Sequence, residues 1–349
     1  MDKYYIKNGD SLESIAEELG LKVQELINYH NDNSKLHDNI RDKNLPKWSD
    51  HIIIADTVDN LKMKKKLKNS PDHINIFQRD TEPIKYLITQ KIDMQVSGNS
   101  MIDSETEIIW KYKKQKKDGS FHANLEQESH QIKYIKSIYR ALAEYMQKFN
   151  KPLEHLILKL SDTGEIDEVE NQEEINKQWL EFKKNLTPEL GNTPEEKHMI
   201  ESGDKDFSDS LPLLKNNTLY DLFFSGIYGE HEVSDKFEGE EKKKYISQIF
   251  SSEKVNIITK KKFDKDGELI KVKLYSEADS TNNHHLKSIY DEKLRPFFQE
   301  EYNYSFSWSV EYSFNPGTGI MVSCNSKIKE MTGSSYNHVM EHIIQLVKN

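Results

Sequence analysis

The chain has 349 residues, and its 59 acidic and 49 basic residues give a formal charge of -10. Because the two signs are interspersed, no broad cationic face for nucleic acid is expected. No run of about 18 apolar residues is present, which argues against a membrane span.

The expected compartment is the cytoplasm. The first residues lack the basic segment followed by an apolar segment that marks a secretory signal. The single cysteine, Cys324, cannot form an internal disulfide and fits a reducing environment. The mean hydropathy of -0.82 is polar, but 14 Phe, 17 Tyr and 4 Trp supply large side chains for a folded core.

The chain opens with a pattern typical of a strand followed by a helix. Aromatic and β-branched residues at positions 4–7 favour a strand, and Gly9 with Asp10 favours a turn. Asp10 is predicted to cap a helix, with Glu13 returning the bond, and Gly20 is predicted to end it. The apolar face of this helix is predicted to consist of Leu12, Ile15, Ala16 and Leu19.

A second helix and a closing strand are predicted next. The helix has an apolar face of Val23, Leu26 and Ile27, and residues 52–54 are three consecutive isoleucines that favour a strand. The resulting order is βααβ. The order, the Gly9-Asp10-Ser11-Leu12 turn and the Ser14-Ile15-Ala16 that follows together resemble a LysM module, which covers residues 1–56.

The resemblance implies a function for this module. LysM modules usually hold N-acetylglucosamine polymers such as peptidoglycan, in a groove between the first turn and the loop after the second helix. Residues 26–36 resemble a LysM subtype frequent in tail and baseplate-associated proteins of contractile injection systems, including type VI secretion-like machines. Residues 46–56 lack the Gly and the final Pro of the common closing strand.

The implied groove can hold either a glycan or a protein partner. Its residues carried over from the resemblance are Gly9, Asp10, Ser11, Leu12, His30, Asn31 and Asn33. The alternative is that these residues only make the turn and the helix ends, since the fold needs them with or without a sugar.

Residues 57–83 are predicted to be a linker. The rest of the chain contains a set of short sequence motifs, here called landmarks, that occur twice in the same order. Lys117-Asp118-Gly119 recurs at residues 265–267 with an offset of 148. The helix-like segment starting at Ile135 recurs at Leu286, an offset of 151, and Thr163-Gly164 recurs at Thr318-Gly319, an offset of 155. The constant order predicts two homologous halves, residues 84–186 and 251–349.

Each half is predicted to be a ββαββα unit. An alternating run meets an Asp-Gly turn and returns as a hairpin, an amphipathic helix follows, and a second hairpin leads to a closing helix. In the first half the helical stripe comprises Ile135, Ile138, Leu142, Tyr145, Met146 and Phe149. The predicted fold class is therefore α+β, with a tandem-duplicated body and a helical insert at residues 187–250.

The insert contains an apolar run with two interpretations. It either packs over the seam between the halves or forms an exposed surface for a protein partner. The residues of this run are Leu219, Tyr220, Leu222, Phe223 and Phe224.

No catalytic residue, metal ligand or cofactor site is predicted. His338-Val339-Met340-Glu341-His342 fits a zinc-peptidase helix pattern, but only seven residues follow it for the further carboxylate ligand of such enzymes. The loop at residues 264–268 lacks the Gly and Glu spacing of a calcium loop. No Gly-rich phosphate loop or nucleophile elbow is present.

The favoured hypothesis is a non-enzymatic adaptor, with the LysM module and the duplicated body as docking surfaces in assembly or cargo loading of a contractile injection apparatus. An alternative is a peptidoglycan-binding cell-wall protein. A third, less favoured hypothesis is a wall hydrolase that the LysM module targets to its substrate.

Overall fold

A computed structural model describes residues 2–7, 9–19, 21–34, 39–40, 45, 50–54, 73–186, 194–234, 236–250 and 253–347. The chain forms two compact units, Met1–Asp72 and His73–Asn349. The predicted module boundary at residue 56 lies outside the described residues. The second unit begins within the predicted linker, because residues 73–76 form a strand of the larger unit.

The N-terminal unit consists of strand β1 (Asp2–Tyr5), helix α1 (Leu12–Glu18), helix α2 (Val23–Asn33) and strand β2 (His51–Ile54). β1 and β2 pair antiparallel, with Tyr4 opposite Ile52. The two helices bury their apolar faces against β2 in a small core of Leu12, Ile15, Ala16, Leu26, Ile27, Ile40 and Ile52. Whether this unit is a LysM module stays a prediction.

The cap of α1 differs from the predicted one. Ser11, not Asp10, is the N-cap: its hydroxyl accepts from the Ser14 amide, and the Ser14 hydroxyl accepts from the Ser11 amide. Asp10 instead accepts a hydrogen bond from the Lys7 amide across the preceding turn. The shift by one residue occurs because serine caps as well as aspartate does. The predicted end at Gly20 lies outside the described residues.

The predicted α+β class is wrong for this chain, which is mostly β with 47% strand and 29% helix. The body is built on one antiparallel sheet of eleven strands in the order β10-β11-β12-β13-β14-β15-β4-β5-β6-β7-β8. In chain order these strands are β4 (Ile84–Val96), β5 (Asn99–Lys117), β6 (Ser120–Ile135), β7 (His155–Leu160), β8 (Ile166–Val169), β10 (Glu238–Ile246), β11 (Lys254–Asp266), β12 (Leu269–Ala278), β13 (Tyr304–Phe314), β14 (Met321–Thr332) and β15 (Tyr336–Val347).

A separate two-stranded sheet and several helices complete the body. Strand β3 (His73–Ile76) pairs with β9 (Gly229–Glu232). The helices are α3 (Ser137–Phe149), α4 (Gln172–Leu186), α5 (Pro194–Ser208), α6 (Leu211–Asn216), α7 (Thr218–Phe223), α8 (His284–Ile289) and α9 (Arg295–Phe298). A 3-10 turn spans Lys151–Leu153, and a π-helical turn at Tyr290–Leu294 joins α8 to α9.

The predicted ββαββα order occurs in the first half, as β5-β6-α3-β7-β8-α4 behind the extra strand β4, but not in the second half. The Asp-Gly landmarks do make tight turns, β5–β6 at Gly119 and β11–β12 at Gly267, and a helix follows the third strand of each run. The second run, however, ends in strand β15 instead of a closing helix, and the connection at residues 187–250 contains strands β9 and β10. All eleven strands belong to one sheet because β15 pairs along its length with β4.

The sheet curls so that one face is concave. Tyr245 of β10 lies with its ring centroid 4.6 Å from that of Phe306 on β13, although two strands separate β10 from β13 in the sheet. The short helix α7 packs against this face, with Tyr220 stacked on Trp110 at 5.2 Å and Phe223 against Tyr86 at 5.2 Å. The core of the body therefore lies between the sheet and the connection.

Two histidines of β15, His338 and His342, are buried on this face. His338 and His342 alternate with outward residues, so the zinc-peptidase pattern lies on a strand and not on a helix. His342 is 0% exposed, and neither of its ring nitrogens has a hydrogen-bond partner in the described residues. Burial lowers the pKa of each histidine to about 4, with Asp93 opposing the shift at His338.

Replacing His342 with Leu should make the protein less sensitive to acid. The unfolded chain takes up a proton near the ordinary histidine pKa of 6.5, whereas the folded protein resists protonation of His342 down to about 4. Stability is therefore lost as the pH falls from about 6.5 to about 4, and His342→Leu should remove about 3 kcal/mol of that loss. Urea unfolding measured at several pH values tests this.

His285→Leu is the matched control, because His285 is exposed on α8. That variant should lose stability with pH as the wild type does. If His342→Leu also follows the wild-type profile, the ring of His342 does not carry the linked proton.

Candidate functional site

A cavity of the body lies between the two edge strands of the large sheet. We call it the edge cleft. It has a volume of about 520 Å³. Its lining consists of Glu165 with Ile166 and Asp167 of β8, residues 214–218, Tyr220, Asp221 and Phe224 of the connection, residues 241–245 of β10, Asn256 and Ile257 of β11, and Trp308 of β13. Helix α6 contacts both β8 and β10, so the connection forms one wall of the cleft.

A cluster of four charged side chains lies at the cleft, which we call the charge cluster: Asp221, Glu241, Lys243 and Lys261. The Lys243 ammonium lies 3.5 Å from a carboxylate oxygen of both Asp221 and Glu241. Lys261 lies 2.9 Å from Glu241 and also donates to the Gly226 carbonyl. The positive and negative charges are thus matched within the protein.

The protonation states of the cluster follow from burial and from these contacts. Burial disfavours the charged form of Lys243, but Asp221 and Glu241 outweigh it and raise the pKa of the amine. Burial also opposes ionisation of Glu241, but Lys243 and Lys261 lower its pKa overall. At Asp221 burial prevails over Lys243 and raises the pKa of the carboxyl. The cluster therefore holds a permanently charged lysine beside one carboxylate that ionises less readily.

A second buried cation, Lys114, lies on the same concave face and is 2% exposed. Its ammonium lies 4.0 Å from the ring centroid of Tyr228, and burial lowers the pKa of the amine to about 7 against the opposing charge of Asp80. The cavity beside it measures about 20 Å³, enough for roughly one water molecule. Lys114 is consequently a packed lysine with no room for a substrate.

The predicted groove residues of the N-terminal unit are mostly engaged with their own backbone. His30 Nδ1 accepts from the Ile53 amide, Asn31 exchanges two hydrogen bonds with Ile40, and Asn33 donates to the Tyr29 carbonyl. Leu12 is a core residue. Gly9, Asp10 and Ser11 form the turn that leads into α1, with Gly9 exposed at a φ of +95°.

The apolar run of the connection is core and does not form the exposed partner surface that was considered. Tyr220 and Phe223 contact the concave face through Trp110 and Tyr86. The run is buried because it covers the apolar face of the curled sheet. Its buried members are Leu219, Tyr220, Leu222 and Phe224, and Phe223 packs partly buried beside them.

An exposed apolar stripe occurs instead on α3. The helical spacing of this segment does make a helix, but Ile138 is 79% exposed and Leu142 is 56% exposed, and Met146 continues the same row. Only the end of the stripe is buried, where Phe149 meets the Trp179 ring at 5.0 Å. Periodicity alone could not show this, because it identifies an apolar face without saying what covers it.

The other motifs offer no reactive group. Glu341 points away from the two histidines and pairs with Lys327 at 2.8 Å. Cys324 is buried, and burial raises the pKa of its thiol. No group of three metal-ligating side chains occurs among the residues that the structure describes, and none of their helices is both long and apolar enough to cross a bilayer.

Of the residues that line the edge cleft, only Tyr220 and Phe224 were identified from the sequence, as part of the apolar run, and none of the charged residues was. One signal was present, because Asp221 is a lone carboxylate inside an apolar run, where a buried partner is expected. The partner, Lys243, lies in a run of three lysines that was assigned to a helical insert and that in fact forms edge strand β10.

Comparison with known proteins does not assign the chain to a family. No family model matches it, and no curated protein matches it. A solved structure described as lipid-protein interactions in lipovitellin is similar at a TM-score of 0.40 and 9% identity. The similarity covers 76% of this chain and 25% of that one, so the present chain spans about a quarter of the length of the protein that it matches.

Replacing Lys243 with Met should destabilise the protein by about 2 kcal/mol, since it leaves Asp221 and Glu241 without the cation between them. This is less than the roughly 3 to 5 kcal/mol typical of fully buried pairs, because the Asp221 side chain is 26% exposed. Urea unfolding at pH 7 measures the loss.

The double variant Asp221→Asn/Lys243→Met should recover part of this stability. Glu241 then keeps Lys261 as its partner, and no uncompensated carboxylate remains at position 221. A double variant as unstable as the sum of the two single variants would show that the two side chains are not coupled.

Proposed function

We propose that this protein is a non-enzymatic docking protein that works as an adaptor. The exposed stripe of α3 carries the proposal. Ile138, Leu142 and Met146 repeat every four residues and therefore lie in one row along the helix, and Tyr134 is exposed on the strand just before it. Large apolar side chains that remain in water in a contiguous row are typical of protein interaction sites.

The separate packing of the two units supports this function. Each unit has its own hydrophobic core, and the two cores have no residue in common. A chain with two independently packed units can present one surface to each of two partners, and such linkage raises the effective concentration of the second partner.

The charge cluster also supports binding over catalysis. A general base or nucleophile needs a free electron pair within reach of a substrate, but Lys243 is held between two carboxylates. In the charge cluster two lysines thus balance two carboxyl groups.

The proposed setting is the assembly or cargo loading of a contractile injection apparatus in the cytoplasm. Support comes from the resemblance of residues 26–36 to the LysM subtype of tail and baseplate-associated proteins. The buried free thiol of Cys324 is compatible with a reducing compartment.

A second candidate function is binding of an N-acetylglucosamine polymer such as peptidoglycan. The turn at Gly9, Asp10 and Ser11 favours it, because this part of the implied groove is not in the core of the N-terminal unit. His30, Asn31 and Asn33 favour it less, since their side chains already bind backbone groups.

The adaptor proposal predicts that the α3 stripe is needed to retain a protein partner. The double variant Ile138→Asp/Leu142→Asp adds charge to the stripe without disturbing the core, and it should lose partners that the wild type retains by at least about tenfold. Affinity purification of the full chain from the native cell, followed by quantitative mass spectrometry, measures this loss.

Leu180→Asp is the matched control, because Leu180 is 48% exposed on α4 and lies outside the stripe. It should retain the same proteins as the wild type. Equal recovery of sheath, spike or cargo proteins with the stripe variant, or none with the wild type, would contradict the proposal.

Sedimentation with insoluble peptidoglycan separates the two candidate functions. An adaptor should remain in the supernatant at the concentrations where it retains its protein partner. Sedimentation of the wild type that Gly9→Asp or Ser11→Lys abolishes would favour glycan binding instead.

A further inference from the structure

The edge cleft follows two strand edges and continues onto the inner face of the sheet, where Ile257 and Trp308 line it. Glu241 to Tyr245 are consecutive residues of β10, and their side chains point alternately to opposite faces, yet all five line the same cavity. A cavity can touch every residue of a strand only along its edge. On β8 two consecutive residues, Ile166 and Asp167, likewise line the cavity.

Both edges carry backbone groups available for pairing. In the described part of the chain β10 pairs only with β11, and β8 pairs only with β7. An edge strand presents a row of N–H and C=O groups that can accept a further strand. The edge cleft is thus open to an extended segment of polypeptide along β10.

Strand directions allow one segment to pair with both edges. Adjacent strands in the sheet are antiparallel, and ten steps separate β10 from β8, so these two strands run in the same direction. A single inserted strand that is antiparallel to β10 is consequently antiparallel to β8 as well. Antiparallel pairing is the geometry that the rest of the sheet already uses.

The side chains around β10 specify which segment fits. Lys242 and Lys244 are exposed on the outer side of the strand, and neither ammonium has an ion-pair partner in the described residues. On the inner side the paired Glu241 and Lys243 are followed by Tyr245, and Tyr245 and Trp308 both line the cleft. Directly opposite pairs across antiparallel strands favour opposite charges on one face and apolar contacts on the other.

We propose that the edge cleft binds an extended peptide of a partner protein, in which acidic and apolar residues alternate, as an added strand on β10. The acidic residues lie opposite Lys242 and Lys244, and the apolar residues face Tyr245 and Trp308. Its volume of about 520 Å³ lies in the range of ligand sites, and the five residues of β10 along it set the length at about five residues. This adds a second binding site to the docking function proposed for the α3 stripe.

The probe is a fluorescein-labelled synthetic peptide, acetyl-(Glu-Val)3-amide, titrated with the full chain and followed by fluorescence anisotropy. Two further peptides isolate the two parts of recognition. Replacing Glu with Lys reverses the charge, and N-methylation of the valines removes backbone donors without changing charge. Each change should weaken binding by about tenfold or more, since several hydrogen bonds or charge contacts are lost.

Variants of the protein locate the site. Lys242→Glu/Lys244→Glu should weaken binding of the acidic peptide by about tenfold or more and should improve binding of the lysine peptide. Lys113→Glu/Lys117→Glu is the charge-matched control, because both residues are exposed on β5 and neither lines the edge cleft. It should bind the acidic peptide as the wild type does.

Several outcomes would overturn the proposal. Equal binding of the N-methylated peptide would show charge attraction without strand pairing, and equal weakening by the β5 control would show a diffuse charge effect. If the acidic peptide does not bind, the proposal is wrong, and Lys242 and Lys244 only protect an edge strand from unwanted pairing. Dimerisation abolished by the β10 variant would identify a second copy as the occupant.

The stripe variant Ile138→Asp/Leu142→Asp separates this proposal from the docking function. It should bind the acidic peptide normally while losing the native partner. Loss of peptide binding in Lys242→Glu/Lys244→Glu accompanied by normal partner retention supports the cleft as a separate site. Partner retention by the wild type with no peptide binding overturns the cleft alone.

Discussion

Covering the concave face of the curled sheet is the constraint on which the rest of the body depends. Eleven strands bring large apolar side chains such as Trp110 and Tyr86 to one face, and water has to be excluded from it. Helix α7 does so with only six residues, too few to be a stable helix without these contacts. Its placement also brings Asp221 to Lys243, so the wall of the edge cleft and its charges both result from packing of the core.

Local chemistry predicted part of the fold, and long-range pairing decided the rest. The Asp-Gly turns at Gly119 and Gly267 were predictable because turn preferences depend on a few adjacent residues. The single sheet was not predictable, since nothing in the local pattern indicates that residues 336–347 pair with residues 85–96. Histidines four residues apart fit one face of a helix as well as one face of a strand, and the alternating Met340 and Ile344 belong to the strand.

The same contrast between local sequence patterns and long-range packing applies to the candidate sites. In the N-terminal unit, residue types that suit a groove also suit a turn and a helix end. The side chains of His30 and Asn31 bind backbone groups of their own unit. In the body, an apolar run can be core or surface, and Leu222 became core while Ile138 stayed in water. The edge cleft could not be found at all from local patterns, because it exists only where the strand β10 and the strand β8 approach the same helix.

The position of β15 between β14 and β4 has a consequence for synthesis. Val96 pairs with Tyr336, so β4 leaves the ribosome some 240 residues before its partner. Until then the edge of β4, which carries Ile88 and Ile92 among its apolar residues, can pair with any strand available. The closing of the sheet is therefore a late event, and the nascent chain needs protection from wrong pairing for most of its translation.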